Sequence, residues 1–173
     1  MNTTTRRGIA AAGLLATTLT GVVAIGAPAQ AAEWKQERGI VLECSGKKSG
    51  LEVHTVVYEN SRYGNTVQVR IGGPESEKAA MRNTDDKFLV DGALRATVRV
   101  AGQRAVVKGT AERFGARIPV NESFDDGDYA ITNRGFQRKL RTRLVAKYDG
   151  KVVPLTCAPA FYYNLDVKKV PIS

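Results

Sequence analysis

Residues 139–157 read KLRTRLVAKYDGKVVPLTC. Leu140, Thr142, Leu144 and Ala146 alternate with Lys139, Arg141, Arg143 and Lys147, and only Val145 interrupts the pattern. A period of two places one set on a dry face and the other in water, as a half-buried antiparallel strand requires. Asp149-Gly150 follows, a pair suited to a two-residue type I′ turn because both central residues take positive φ. Folding back about that turn sets Ala146 opposite Val153, Leu144 opposite Leu155 and Thr142 opposite Cys157. These six share one face, so the dry sides of both strands coincide. Pro154 then falls opposite Val145; proline has no N–H to donate, which predicts an edge or a bulge there.

The same period extends outward in both directions. Ile40, Leu42 and Cys44 share a face; so do Leu51, Val53, Thr55 and Val57, then Val67, Val69 and Ile71, then Leu94, Ala96, Val98 and Val100. Asp91-Gly92 predicts a second type I′ hairpin, and Gly102-Gln103 fits a type II′ turn with glycine first. Strands are expected near 38–45, 50–58, 65–72, 86–90, 93–101, 104–113, 128–133, 137–148, 151–157 and 161–167. Gly73–Asp85 is the least strand-like segment, and Glu75–Met81 has the makings of one short helix. Gly115–Asp128 reads as a second long connection. The fold class is therefore all-β: a single-domain antiparallel β-barrel or β-sandwich of about 8–10 strands.

Met1–Ala31 has the form of a cleaved secretory signal peptide. Arg6 and Arg7 precede an uncharged run from Ile9 to Ile25, and Ala29-Gln30-Ala31 is an A-x-A cleavage box. Thr5-Arg6-Arg7 matches a twin-arginine signal only in part, so general secretion is expected. Cleavage leaves residues 32–173 as one β domain and, with Arg6 and Arg7 gone, lowers the net charge from +9 to +7. No other apolar run reaches membrane length. The mature chain is expected to be extracellular, soluble and monomeric, and the Ala-rich leader points to a bacterium.

Export bears on Cys44 and Cys157, the two cysteines of the chain. An oxidising compartment and the absence of C-x-x-C spacing favour a structural disulfide between them. That bridge requires the first and last long strands to be neighbours.

Most catalytic constellations are missing. One histidine and two cysteines cannot furnish a four-ligand zinc site, and no metal or other cofactor is expected. His54 shares the wet face of its strand with Glu52. That pairing can orient a general base, but it is also what a surface histidine beside a surface carboxylate looks like. No G-x-S-x-G elbow occurs. Ser45-Gly46-Lys47-Lys48 matches S-x-x-K and Lys48-Ser49-Gly50 echoes K-T-G, but both fall within six residues and read as a hairpin loop. Asp125-Asp126-Gly127-Asp128, with Glu122, is oxygen-rich enough for Ca²⁺ but lacks the EF-hand order and reads as turn chemistry. No catalytic residue is assigned, and a non-enzymatic protein is expected over an enzyme.

Charge carries the functional expectation. Many acids fall in connections, whereas bases fall on the wet faces of strands. Between Arg134 and Lys151 there are seven basic residues and one acid. Arg95, Arg99, Lys139, Arg141, Arg143 and Lys147 are the candidate ligand-binding residues of a basic sheet face, which would draw polyanions. For an exported bacterial protein the expected polymer belongs to the cell envelope, such as teichoic acid, and not to nucleic acid. Two alternatives are a secreted inhibitor or protein-interaction barrel using a loop such as Asn60–Asn65, and a small hydrolase using His54 or Asp125. Strand pattern and cysteine placement resemble those of small secreted bacterial β-barrels, among them periplasmic inhibitors of c-type lysozyme. The inhibitory loop motif of those proteins has no counterpart here, and no family is assigned.

Overall fold

The computed structural model describes residues 33–72 and 77–172. The expected signal peptide, residues 1–31, lies outside the described residues. Ten strands form one antiparallel sheet: β1 (Lys35–Lys48), β2 (Leu51–Asn60), β3 (Gly64–Ile71), β4 (Lys78–Thr84), β5 (Leu89–Val90), β6 (Ala93–Val100), β7 (Gln103–Arg113), β8 (Ile118–Asp126), β9 (Tyr129–Tyr148) and β10 (Lys151–Pro171). Their spatial order is β4-β3-β2-β1-β10-β9-β7-β6-β5, with β8 paired to the first half of β9.

The sheet rolls up until β4 and β3 lie against β6. Alternation along the order makes β4 and β6 antiparallel neighbours, yet no ladder joins them among the described residues. A side chain spans the seam instead: Arg82 Nη1 donates to the Thr97 carbonyl at 3.4 Å. The architecture is thus a roll left open along one line, neither a closed barrel nor two separate sheets. Glu59, at the end of β2, ties the far end of the sheet down. Its Oε1 accepts from the Phe88 and Leu89 amides at 2.5 and 2.6 Å, just where β5 begins.

Period-two patterning built the interior as expected. Leu42, Val53, Val57, Val69, Leu94 and Val107 are essentially fully buried, and a continuous apolar cluster fills the roll. Ala146 pairs with Val153, Leu144 with Leu155, and Val145 with Pro154. The expected Thr142–Cys157 pair does not form, because the β9–β10 register shifts between Leu155 and Phe161. Cys157 instead faces Cys44 across the β1–β10 ladder, and the two are disulfide-bonded. The first and last long strands are adjacent, as the bridge requires.

Six sequence expectations need correction. Among the described residues of the segment expected as a short helix none forms: Lys78–Thr84 is strand β4, paired with β3, because β3 offers a free edge beside an apolar Ala79-Ala80-Met81 run, and Glu75 and Ser76 lie outside the described residues. The long connection at 115–128 holds β8, a hairpin partner of β9 closed at Asp126 and Tyr129. Strands expected at 128–133 and 137–148 are one strand, β9, and those at 151–157 and 161–167 are one strand, β10. Gly135 permits the first merger: at φ +146° it brings its Cα so close to β10 that a Cβ would meet the Asn164 carbonyl oxygen at 2.2 Å. The turn after β6 centres on Ala101-Gly102, both at positive φ, so it is type I′ and not II′. Ser45–Lys48 belongs to β1, and the loop expected there is only the Ser49-Gly50 turn.

Candidate functional site

All six candidate basic residues fall on the outer surface of β6, β7 and β9. The reason is parity. Leu94, Ala96, Val98 and Val100 point inward from β6, and Leu140, Leu144 and Ala146 do so from β9, so Arg95, Arg99, Lys139, Arg141, Arg143 and Lys147 point outward, and all six are exposed. Register brings them into mutual range. Arg95 faces Lys108, which faces Val145; Arg99 faces Arg104; Thr97, Val106 and Lys147 share a row. Neighbours two apart along a strand are about 7 Å apart and ladders are about 4.8 Å apart, which makes this a two-dimensional lattice of positive charge.

The lattice is short of counter-charge. Among the described residues, no carboxylate lies within 4.0 Å of any of these side chains; the ion pairs present involve Lys47, His54, Arg70 and Arg82. Glu112 sits across the ladder from Arg141 without reaching it. Lys108, missed as a site residue, registers the field directly: repulsion from Lys147, then from Arg95, holds its ammonium below the usual lysine range. The Arg141 guanidinium carbon lies 5.1 Å from the centre of the Phe114 ring, which fixes one arm of the face.

A second polar region lies outside the roll on β10, β1, β2 and β3. Thr156, Ser45, His54 and Arg70 form one cross-strand row and line a cavity of about 270 Å³. His54 Nε2 is 3.3 Å from Glu52 Oε1. That hydrogen bond, followed by the nearby Lys47 charge, holds the Glu52 carboxyl below its ordinary value. Sequence placed His54 beside Glu52; the juxtaposition with Ser45 was hidden by reading Ser45 as a loop residue. Asp125 lies on β8, opposite Ala130. The loop considered for protein contacts is largely clamped: Asn60 and Asn65 are buried, Asn60 Oδ1 accepts from the Arg62 and Tyr63 amides, and Asn65 Nδ2 donates to the Asp85 and Asp86 carbonyls.

The inner surface of the lower half of the sheet carries a third group that sequence reasoning did not assemble. Arg113 lies with its guanidinium carbon 3.6 Å from the Tyr162 ring centre, Arg117 lies 4.5 Å from that of Phe136, and Arg134 lies 4.8 Å from that of Trp34. Arg138 Nε donates to the Gly115 carbonyl at 2.9 Å. The available signal was the even-numbered arginines of β9, Arg134 and Arg138, which alternate away from Lys139 and Arg141.

Among the described residues, no helix is long and apolar enough to cross a membrane. No protein-family model matches the chain, and no curated protein matches it. Among solved structures, the chain is similar to an AttH candidate from Nitrosomonas europaea, with a TM-score of 0.33 and 11% identity. That similarity covers 89% of this chain but only 59% of the other. At that level neither fold nor activity transfers.

Proposed function

We propose that this chain is a secreted, non-enzymatic bacterial binding protein that holds an anionic cell-envelope polymer against the outer face of β6, β7 and β9. One observation carries the reading: the bases of three adjacent strands share an exposed face, and among the described residues no carboxylate lies within 4.0 Å of the six candidates. Such a face raises the local potential, concentrates polyanions and speeds their arrival. Export is supported by the leader-like sequence of residues 1–31 and by the Cys44–Cys157 disulfide, since structural disulfides persist in oxidising compartments. The test is co-sedimentation with purified cell wall and with a panel of anionic polymers across a salt series. Binding that falls steeply with salt, and weakens further in the Arg141→Glu/Arg143→Glu variant, is the expected result. Binding indifferent to both would overturn the reading.

A small hydrolase is the second reading. The observation in its favour is the row that sets His54, already bonded to Glu52, across the ladder from the Ser45 hydroxyl beside a cavity. It requires an ester- or amide-cleaving activity that disappears in both His54→Ala and Ser45→Ala.

A further inference from the structure

We infer that Arg113, Arg117 and Arg138 form a second anion site, on the inner face at the lower end of the sheet, which takes the compact phosphate or diphosphate group of a ligand. The site is independent of the outer basic face: Arg138 and Lys139 are successive residues of β9 and point to opposite sides. Three facts build it. The Phe136 and Tyr162 rings lie side by side, with centroids 6.3 Å apart. Each ring has a guanidinium laid against it, Arg117 on Phe136 and Arg113 on Tyr162. Arg138, directly across the ladder from Tyr162, is held from above by the Gly115 carbonyl.

Ring stacking occupies a guanidinium's flat face and leaves its N–H edge free. That edge is the fork that matches oxyanions two hydrogen bonds at a time. The rings therefore orient the forks before any ligand arrives, which removes part of the ordering cost of binding. Charge defines the ligand. Three guanidiniums gather about one ring pair, and among the described residues none has a carboxylate within 4.0 Å. Glu59 shares the cross-strand row of Arg138, beyond Tyr162 and Ile40, but its carboxylate is bonded to the Phe88 and Leu89 amides, and Asp166 faces Arg134. A lone carboxylate supplies one negative charge and leaves the cluster in excess. A phosphate monoester supplies close to two, with three acceptor oxygens, as phosphorylated side chains illustrate. Arg134 on Trp34 continues the row and would meet a further charged group of the same ligand.

The test uses inorganic pyrophosphate as probe, with acetate as a single-carboxylate control, followed by calorimetry and amide chemical shifts at low salt. Saturable pyrophosphate binding is expected, with shifts centred on Phe136, Tyr162 and Gly115 and acetate at least tenfold weaker. Arg113→Lys/Arg117→Lys keeps the charge but loses the forks, and should weaken pyrophosphate about tenfold or more. Arg141→Glu/Arg143→Glu should change it less than threefold, which separates this site from the outer face. Should the double lysine variant not fold, Arg138→Lys, which leaves both ring contacts in place, carries the same expectation. Absent saturation, equal affinity for acetate, or lysine variants that bind like the parent would each overturn the inference.

Discussion

The Tyr163 hydroxyl donates to the Glu59 carbonyl at 2.9 Å, across the point where residue 39 has no side chain. A Cβ on Gly39 would stand 1.6 Å from that same carbonyl oxygen and 2.7 Å from the tyrosine oxygen. Behind this contact lies a group of hydrogen-bonded polar side chains. Asn60 Nδ2 donates to the Tyr58 hydroxyl and to Glu37 Oε2, both at 2.8 Å. The Tyr163 hydroxyl also lies 3.3 Å from the Tyr58 hydroxyl oxygen, towards which it makes a second, longer contact. Burial, with the hydrogen bond to Tyr58 adding to it, pushes the Tyr163 phenol well above its usual range, so it stays protonated.

Tyr163→Phe removes the side-chain donor to a carbonyl that also belongs to the β1–β2 ladder. We expect a loss of about 0.5–1.5 kcal/mol in urea unfolding. Gly39→Ala should be worse than Tyr163→Phe, because the obstacle is backbone that cannot step aside. A Gly39→Ala protein as stable as the parent would refute the close approach.

The Glu59 carboxylate should behave as a clasp on β5. In Glu59→Gln, the charge-assisted bonds to Phe88 and Leu89 become neutral ones. Stability should fall by about 1–2 kcal/mol, and hydrogen exchange at those two amides should accelerate more than exchange in β1 or β10. Uniform acceleration would mean that Glu59 supports the whole roll and not its far end.

Replacing Cys44 and Cys157 together by serine opens a loop with a sequence separation of 113. A chain-entropy estimate for a loop of about 100 residues is roughly 4.7 kcal/mol. The variant should therefore unfold at much lower urea than the parent, and reductant should bring the parent most of the way down to it.

Lys108 offers a pH test of the basic face. Its folded-state pKa is depressed by Lys147 and Arg95. Between that depressed value and the ordinary lysine value the unfolded chain binds more protons, so this group's contribution to stability rises with pH across that window. Lys147→Gln should move the Lys108 titration, followed by side-chain NMR, back up towards the ordinary value. Glu52 has the opposite sign. Its lowered pKa gives a contribution that is present above the ordinary carboxyl value and fades as pH falls, and His54→Ala should return the Glu52 midpoint upward.

What was readable in the sequence was whatever obeys local periodicity. The Asp149-Gly150 hairpin, the inward set of Leu140, Leu144 and Ala146, and the outward set from Lys139 to Lys147 all follow from a turn signal and a period of two. The Cys44–Cys157 bridge followed from compartment and parity. What escaped depends on partners remote in sequence. Ala79-Ala80-Met81 has helical propensity, and only the open edge of β3 makes it a strand. The β9–β10 register slip beyond Leu155 cannot be read from either strand alone. The arginine–aromatic group needed Arg113 and Arg117 from one side of β8 to land on Phe136 and Tyr162 from two later strands. No spacing rule connects those four positions.

The position of the disulfide also determines how the molecule would bear a load. β1 enters and β10 leaves at the same end of their shared ladder, where Lys35 faces Val167. Tension applied through the two ends of the chain therefore peels this pair apart one rung at a time. The peeling stops at Cys44–Cys157, and the strands in between, which hold most of the core, lie inside a covalent ring that carries none of the pull. A protein tethered to a wall by one terminus and loaded through the other would yield only the residues before Cys44 and after Cys157 and then hold fast.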